Sequence, residues 1–243
     1  MSALSVAVVQ GGPSSEACVS RASAEGVAAA LERAGHRVAR VELDADAPSA
    51  LRDGRFDVAF PLTHGAFGED GCLQGVFELL ALPYVGANVL ASALAMSKPM
   101  AKLAFAAAGL PLARGLASAR GEAPPRALAE RALTEIGRRL VVKPAANGSA
   151  IGVARLEEGS TVADVAAAIE AAFEVDEAVL VEHFAKGREV TCGVLDLHAD
   201  VARASGVLAL AARPGAAMAL PPTEVLAPAD AFYTYEARYA PGR

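Results

Sequence analysis

The chain has 243 residues, more than one small hydrophobic core needs, so two or three lobes are expected. Hydrophobic residues make up 53%, much of it alanine, against 21% charged, the balance of an ordinary globular protein. A net charge of −6 argues against a general nucleic-acid binder, and charges such as Asp164 and Glu170 interrupt the longest apolar stretches, so no membrane-spanning segment is expected. The first ten residues carry no basic region and run into a strand pattern, so no signal peptide is expected and a cytoplasmic location follows by default. Cys18, Cys72 and Cys192 are scattered and odd in number, which reads as free thiols. His36, His64, His183 and His198 lack metal-ligand spacing.

Residues 5–9 form an apolar β-branched run, followed by the turn-rich Gly11-Gly12-Pro13-Ser14-Ser15. A helical pattern over 20–33 stops at Gly35, a natural cap, and strands are predicted over 38–43 and 57–62. Strand–helix–strand order with short loops predicts a parallel sheet flanked by helices, with ligands at the carboxyl ends of its strands. The loops at those ends, 11–16 and 63–71, are rich in glycine and polar groups. A helix over 71–81, a short strand near Tyr84 and a helical stretch over 88–108 follow, with Ser97 and Pro99 placed to start a new turn. Residues 114–126 carry two glycines and two prolines and read as a loop. Beyond them come a helix (127–138), a strand (140–143), a glycine turn, a strand (151–156) and an amphipathic helix (160–173) with a serine or threonine cap. Strands are predicted at 178–184 and 189–195, and the pattern weakens after 207.

Two segments carry chemistry. Lys143-Pro144-Ala145-Ala146-Asn147-Gly148-Ser149-Ala150-Ile151-Gly152 places a lysine at a strand end before a small-residue turn, where backbone N–H groups could approach phosphate oxygens. It is neither a Walker loop nor a dinucleotide fingerprint, and by itself it fits a plain hairpin with an exposed lysine equally well. In the second segment a strand ends in Glu182 and another begins with Glu189, a spacing that suits an adenine edge and ribose hydroxyls. Alone, the pair would more often be two solvated acids beside a turn.

Together these segments resemble the ATP-grasp fold, and the resemblance to D-alanine–D-alanine ligases is closer and runs almost end to end. It is carried by Gly11-Gly12 with Ser15-Glu16 and Val19-Ser20, then His64-Gly65 with Gly68-Glu69-Asp70-Gly71 and Gln74-Gly75. Leu82-Pro83-Tyr84, Ala91-Ser92-Ala93-Leu94 with Met96 and Lys98, and Ala108-Gly109-Leu110-Pro111 extend it. It continues through Val142-Lys143-Pro144, Gly148-Ser149, Glu182, Glu189 and the run from Phe232 to Tyr239. Only 114–139 and 196–231 lie largely outside.

The resemblance implies an α/β ATP-grasp architecture: an N-terminal substrate-side domain (1–87), a central ATP-grasp lobe (88–181) and an incomplete C-terminal lobe (182–243) ending in the lid loop. It implies ATP-dependent joining of two D-alanines through an acyl phosphate, for peptidoglycan precursors. Lys98 and Lys143 match phosphate contacts, Glu182 the adenine-side acid, Ala185 a backbone hinge contact and Glu189 the ribose acid. Glu16 matches the acid that holds the first D-alanine's ammonium, with Ser149 and Tyr239 as its hydrogen-bonding partners and His64 beside that substrate's carboxylate. Ser149 and Arg238 also fall at the ATP end. The implied partners are D-alanine and ATP, with neither nucleic acid nor membrane, and relatives commonly form homodimers.

Departures are Ala150 for a common serine, Arg238 for a lysine, Ser97 for an aspartate, and Ala17 and Cys18 for polar or charged residues. The magnesium (or manganese) ligands of the family would fall beyond Arg243, so no metal ligand is expected in this chain, which reads as a fragment or as a relative without turnover. The remaining alternatives are a nucleotide or D-alanine binding module and a ligase using D-lactate. An oxidoreductase is more distant, since the first strand lacks a spaced-glycine pattern.

Overall fold

The computed structural model describes residues 2–195 and 217–226. The chain divides into two compact units, with 2–184 in one and the described residues 185–195 and 217–226 in the other.

The larger unit begins with three parallel strands, β1 (Ser5–Gln10), β2 (Arg37–Glu42) and β3 (Val58–Pro61), in the order β2-β1-β3. A parallel bridge between Ala59 and Tyr84 extends the sheet, as the short strand near Tyr84 predicted. Side chains alternate across a strand, so β1 is buried on both sides. Val6 and Val8 pack with Ala24 and Ala28 of helix α1 (Ala17–Arg33). Ala7 and Val9 pack with Leu51 of α2 (Ala47–Asp53) and with Leu73 and Phe77 of α3 (Cys72–Leu79). Helix α1 starts three residues before the predicted position, which puts Glu16 at its N-cap.

The stretch predicted as helical over 88–108 is two helices, α4 (Val89–Met96) and α5 (Lys98–Ala107), which meet at a 107° bend. Ser97 is the hinge, extended at φ −81° and ψ 99°, and Pro99 sits in the first turn of α5 where its missing N–H costs nothing. Asn88 caps α4 by accepting from the Ala91 N–H at 2.9 Å. Among the described residues no single helix is long and apolar enough to cross a membrane.

A four-stranded sheet follows in the order β4-β7-β5-β6, made of β4 (Gly115–Ala119), β5 (Leu140–Pro144), β6 (Ala154–Leu156) and β7 (Ala178–His183), all antiparallel. The loop expected over 114–126 is corrected here: its first half is β4, paired residue for residue with β7. Gly-Leu-Ala-Ser-Ala has little intrinsic strand preference, and the exposed edge of β7 supplies the order by pairing. One face of this sheet packs on α6 (Pro125–Glu135) and α7 (Val162–Phe173) through Leu140, Val142, Val179, Val181, Leu128 and Ile169. Burying each such side chain contributes about 1.5–3 kcal/mol. A capping box between Thr161 and Asp164 begins α7.

In the smaller unit the strand predicted over 189–195 is two short ones. β8 (Glu189–Thr191) and β9 (Val194–Leu195) pair antiparallel with β11 (Thr223–Val225) and β10 (Met218–Ala219) respectively. Gly193 separates them, and its carbonyl accepts from the Leu220 N–H at 2.8 Å.

Candidate active site

The period of two that sends Leu140, Val142, Val179 and Val181 into the core sends Lys143 and Glu182 to the opposite face of the sheet. In the β5–β7 register Val141 faces Glu182 and Lys143 faces Leu180, so lysine and carboxylate are diagonal neighbours. Lys143 Nζ pairs with Glu182 Oε2, and Lys102 Nζ of α5 pairs with Glu182 Oε1. Glu182 is 6% exposed. Burial pushes its carboxyl up, but hydrogen bonds from Lys102 and Lys143 outweigh it and hold the group below the ordinary glutamate range.

Lys98, at the start of α5, joins the turn after β5. Its backbone N–H donates to the Ala145 carbonyl at 2.9 Å and its Nζ donates to the Asn147 carbonyl. Burial and the neighbouring Lys143 lower its ammonium, against weaker support from Asp176 and Glu182. An ammonium held in this way gains from an incoming anion. Asp176 secures the same turn by accepting from the Ala146 N–H at 2.6 Å.

The turn reaches across to the parallel sheet. Ser149 Oγ donates to Glu16 Oε1, and a side-chain carbon built on Gly148 would sit 3.4 Å from Glu16 Oε2. Glu16 is 4% exposed. Ser149 and Ala150 have φ of 50° and 59°, a left-handed pair that non-glycine residues rarely adopt. The loop of Glu16 is fixed by the Gly11 N–H donating at 2.8 Å to Ser20 Oγ, which is fully buried in α1.

The loop after β3 lies alongside: a side-chain carbon on Gly65 would come 3.1 Å from Ser14 Cβ. Its shape comes from carboxylates and amides. Glu69 accepts from the Gly65 N–H at 2.8 Å, and Asp70 accepts from the N–H groups of Phe67 at 2.8 Å and Cys72 at 3.0 Å. His64 Nδ1 is 3.5 Å from Glu69 Oε1.

Four separate segments therefore come together: Glu16 and its loop, the His64 loop, Lys98, and the turn carrying Ser149. Glu182 and Lys143 sit on the same sheet as that turn. Ala185 and Glu189 are exposed residues of the smaller unit. Tyr239 and Arg238 lie outside the described residues. Lys102 and Asp176 escaped the sequence reading. The available signal for Lys102 was its spacing of four from Lys98, which puts both on one face of a helix. Among the described residues no three His, Cys, Asp or Glu side chains gather closely enough to hold a metal ion, so these residues do not fit magnesium.

The parallel sheet, the antiparallel sheet with its lysine and glycine turn, and the short-stranded smaller unit define an ATP-grasp protein. A family model described as "D-ala D-ala ligase C-terminus" matches residues 104–243, and one described as "D-ala D-ala ligase N-terminus" matches 43–87. A D-alanine–D-alanine ligase of Geobacter sulfurreducens is 37% identical over 98% of this chain and 66% of its own length. One from Sinorhizobium fredii is 39% identical over 100% of this chain and 70% of its own length. Among solved structures, D-alanyl-alanine synthetase A from Vibrio cholerae matches with a TM-score of 0.77 and 27% identity, covering 100% of this chain and 73% of that one. The Bacillus anthracis D-alanine–D-alanine ligase complexed with ATP matches with a TM-score of 0.73 and 26% identity, over 96% and 69%. The chain belongs to the D-alanine–D-alanine ligase family. It spans about two thirds of the length of the curated relatives it matches.

Proposed function

We propose that this chain carries the D-alanine and ATP sites of a ligase that joins two D-alanines into D-alanyl-D-alanine for peptidoglycan precursors. The observation that carries this reading is the position of the turn at 145–150. On one side it is bonded to Lys98, and on the other Ser149 is bonded to Glu16. A buried carboxylate suits a substrate ammonium, and clustered lysines beside a small-residue turn suit phosphates. The two ends of a carboxylate-phosphorylation site are thus tied to one short loop.

In this reading Glu16 holds the ammonium of the first D-alanine, with Ser149 and Tyr239 orienting the acid, and His64 lies toward that substrate's carboxylate. Lys98 and Lys143 take the phosphates, with Ser149 and Arg238 also at that end. Glu182 takes the adenine edge, Ala185 offers backbone to the base and Glu189 takes the ribose. Positioning and charge neutralisation dominate phosphoryl transfer, and the resulting acyl phosphate makes a poor electrophile reactive toward the second D-alanine's amine. Magnesium or manganese would supply further phosphate neutralisation, and the described residues offer it no ligand set. The choice of D-alanine over D-lactate as second substrate rests on the run 232–239, which lies outside the described residues. The division into 1–87, 88–181 and 182–243, a cytoplasmic location and a homodimer belong to the same proposal.

The test is ADP formation by the 243-residue chain with ATP and magnesium, with and without D-alanine, the dipeptide being followed by chromatography. D-alanine-dependent ADP and dipeptide are expected of a ligase. Binding of both substrates without turnover would fit a fragment of a ligase or a non-catalytic binding relative, told apart by whether a longer chain restores dipeptide formation, and binding of neither would overturn the site assignment.

A further inference from the structure

Glu182 is held by two cations, and only Lys143 has a task in the proposed reaction. Lys102 sits one turn along α5 from Lys98. Its Nζ donates both to Glu182 Oε1 and, at 2.6 Å, to the Ala113 carbonyl just before β4, so the ammonium is tied at two points. Its side chain is 22% exposed, against 8% for that of Glu182. On β4, Gly115 faces Glu182 across the strand pair. A side-chain carbon on Gly115 would come within 2.9 Å of both Glu182 Cγ and the Val181 carbonyl. That approach is open only to glycine. The charged groups facing Glu182 are Lys102 and Lys98 from α5 and Lys143 from β5.

We propose that Lys102 is a positioning residue for nucleotide selection, holding Glu182 as a fixed, charged hydrogen-bond acceptor for the base. This rests on the reading of Glu182 as the adenine-side acid. Lys143 cannot serve both Glu182 and a phosphate with the same strength, so once ATP is bound Lys102 is the cation left to keep the carboxylate ionised. An ionised carboxylate only accepts. It pairs with adenine's exocyclic amine and opposes the 6-oxo group of guanine or hypoxanthine, whereas a protonated one could donate to that oxygen. A buried acceptor that meets another acceptor discriminates strongly, because neither group is then satisfied.

The experiment is calorimetric titration of the full chain with ATP and with ITP between pH 4.5 and 8, using wild type, Lys102→Met, Lys102→Arg and Glu182→Gln. Lys102→Met is expected to weaken ATP about tenfold at neutral pH and to narrow the ATP-over-ITP ratio. It should also introduce a pH dependence whose midpoint lies above that of wild type. Lys102→Arg should restore most of the ratio. If Lys102→Met is unstable, Lys102→Gln asks the same question with the hydrogen bond retained. An equal loss for both nucleotides with an unmoved pH profile would reduce Lys102 to packing and overturn the proposal. Glu182→Gln separates the two layers. If it changes ATP affinity while Lys102→Met and Lys102→Gln do not, the proposal fails and the reading of Glu182 stands. If Glu182→Gln is also without effect, that reading fails and takes the proposal with it.

Discussion

Ser149 and Glu16, 133 positions apart in the chain, are joined by a hydrogen bond from the Ser149 hydroxyl to the Glu16 carboxylate. The contact links the N-cap of α1 to the turn between β5 and β6, so the acid is positioned by loops of two different sheets.

A double-mutant cycle measures this link. Glu16→Gln and Ser149→Ala should each weaken binding of the first D-alanine, with ATP affinity unchanged in Glu16→Gln and lowered to a smaller extent in Ser149→Ala. Their effects should couple by roughly 0.5–3 kcal/mol, as expected for residues in contact. Simple additivity, or a loss confined to ATP, would place the two residues in different parts of the site.

Glu182 sets a pH dependence of stability. Its carboxyl is held below the ordinary glutamate value of 4.5, so its contribution is complete above that value and is lost as pH falls through the lower folded value. Glu182→Gln should cost about 1–3 kcal/mol at pH 7 and less below pH 4.5, since each charged hydrogen bond is modest in net terms. Urea melts of both proteins at pH 7 and pH 4 decide it: an equal difference at the two values would contradict the pairing.

Lys98 behaves in the opposite sense. Burial first, and then Lys143, lowers its ammonium, so its charge opposes folding at neutral pH and the cost disappears as pH rises past the folded value. Lys98→Met should therefore leave the free protein as stable as wild type within about 0.5 kcal/mol, or more stable, while ATP binding weakens. Thermal melts with and without ATP read both effects, and a large fall in the melting temperature of the free protein would count against the phosphate role.

Ile169 anchors α7 against β5 and β7 and is fully buried. Ile169→Ala should cost roughly 2–5 kcal/mol, the transfer term plus a cavity. A change under 1 kcal/mol in denaturant unfolding would mean that the helix pair does not close this core as described.

The parallel sheet was legible because β-branched runs, a helix stop at Gly35 and short loops leave few other topologies for residues 5–62. Strand β4 was hidden because Gly-Leu-Ala-Ser-Ala becomes a strand only through the edge of β7. The hinge at Ser97 was half legible: Pro99 marked a new turn, but the size of the bend, 107°, is set by the extended backbone of Ser97, which no residue pattern specifies. In the site, Glu16, Ser149, Lys98, Lys143 and Glu182 stood out through resemblance to a family. Lys102 did not, because its meaning depends on Glu182, 80 positions away. Asp176 was missed for the same reason, being tied to the turn 30 positions earlier.

The most direct measurement is calorimetric titration of the 243-residue chain with ATP, for wild type and Lys143→Ala. Saturable binding by wild type, weakened at least tenfold in Lys143→Ala with the fold intact by circular dichroism, is the expected result. Equal affinity in the two proteins would contradict the phosphate role of Lys143, and with it the placement of the nucleotide on this face of the sheet.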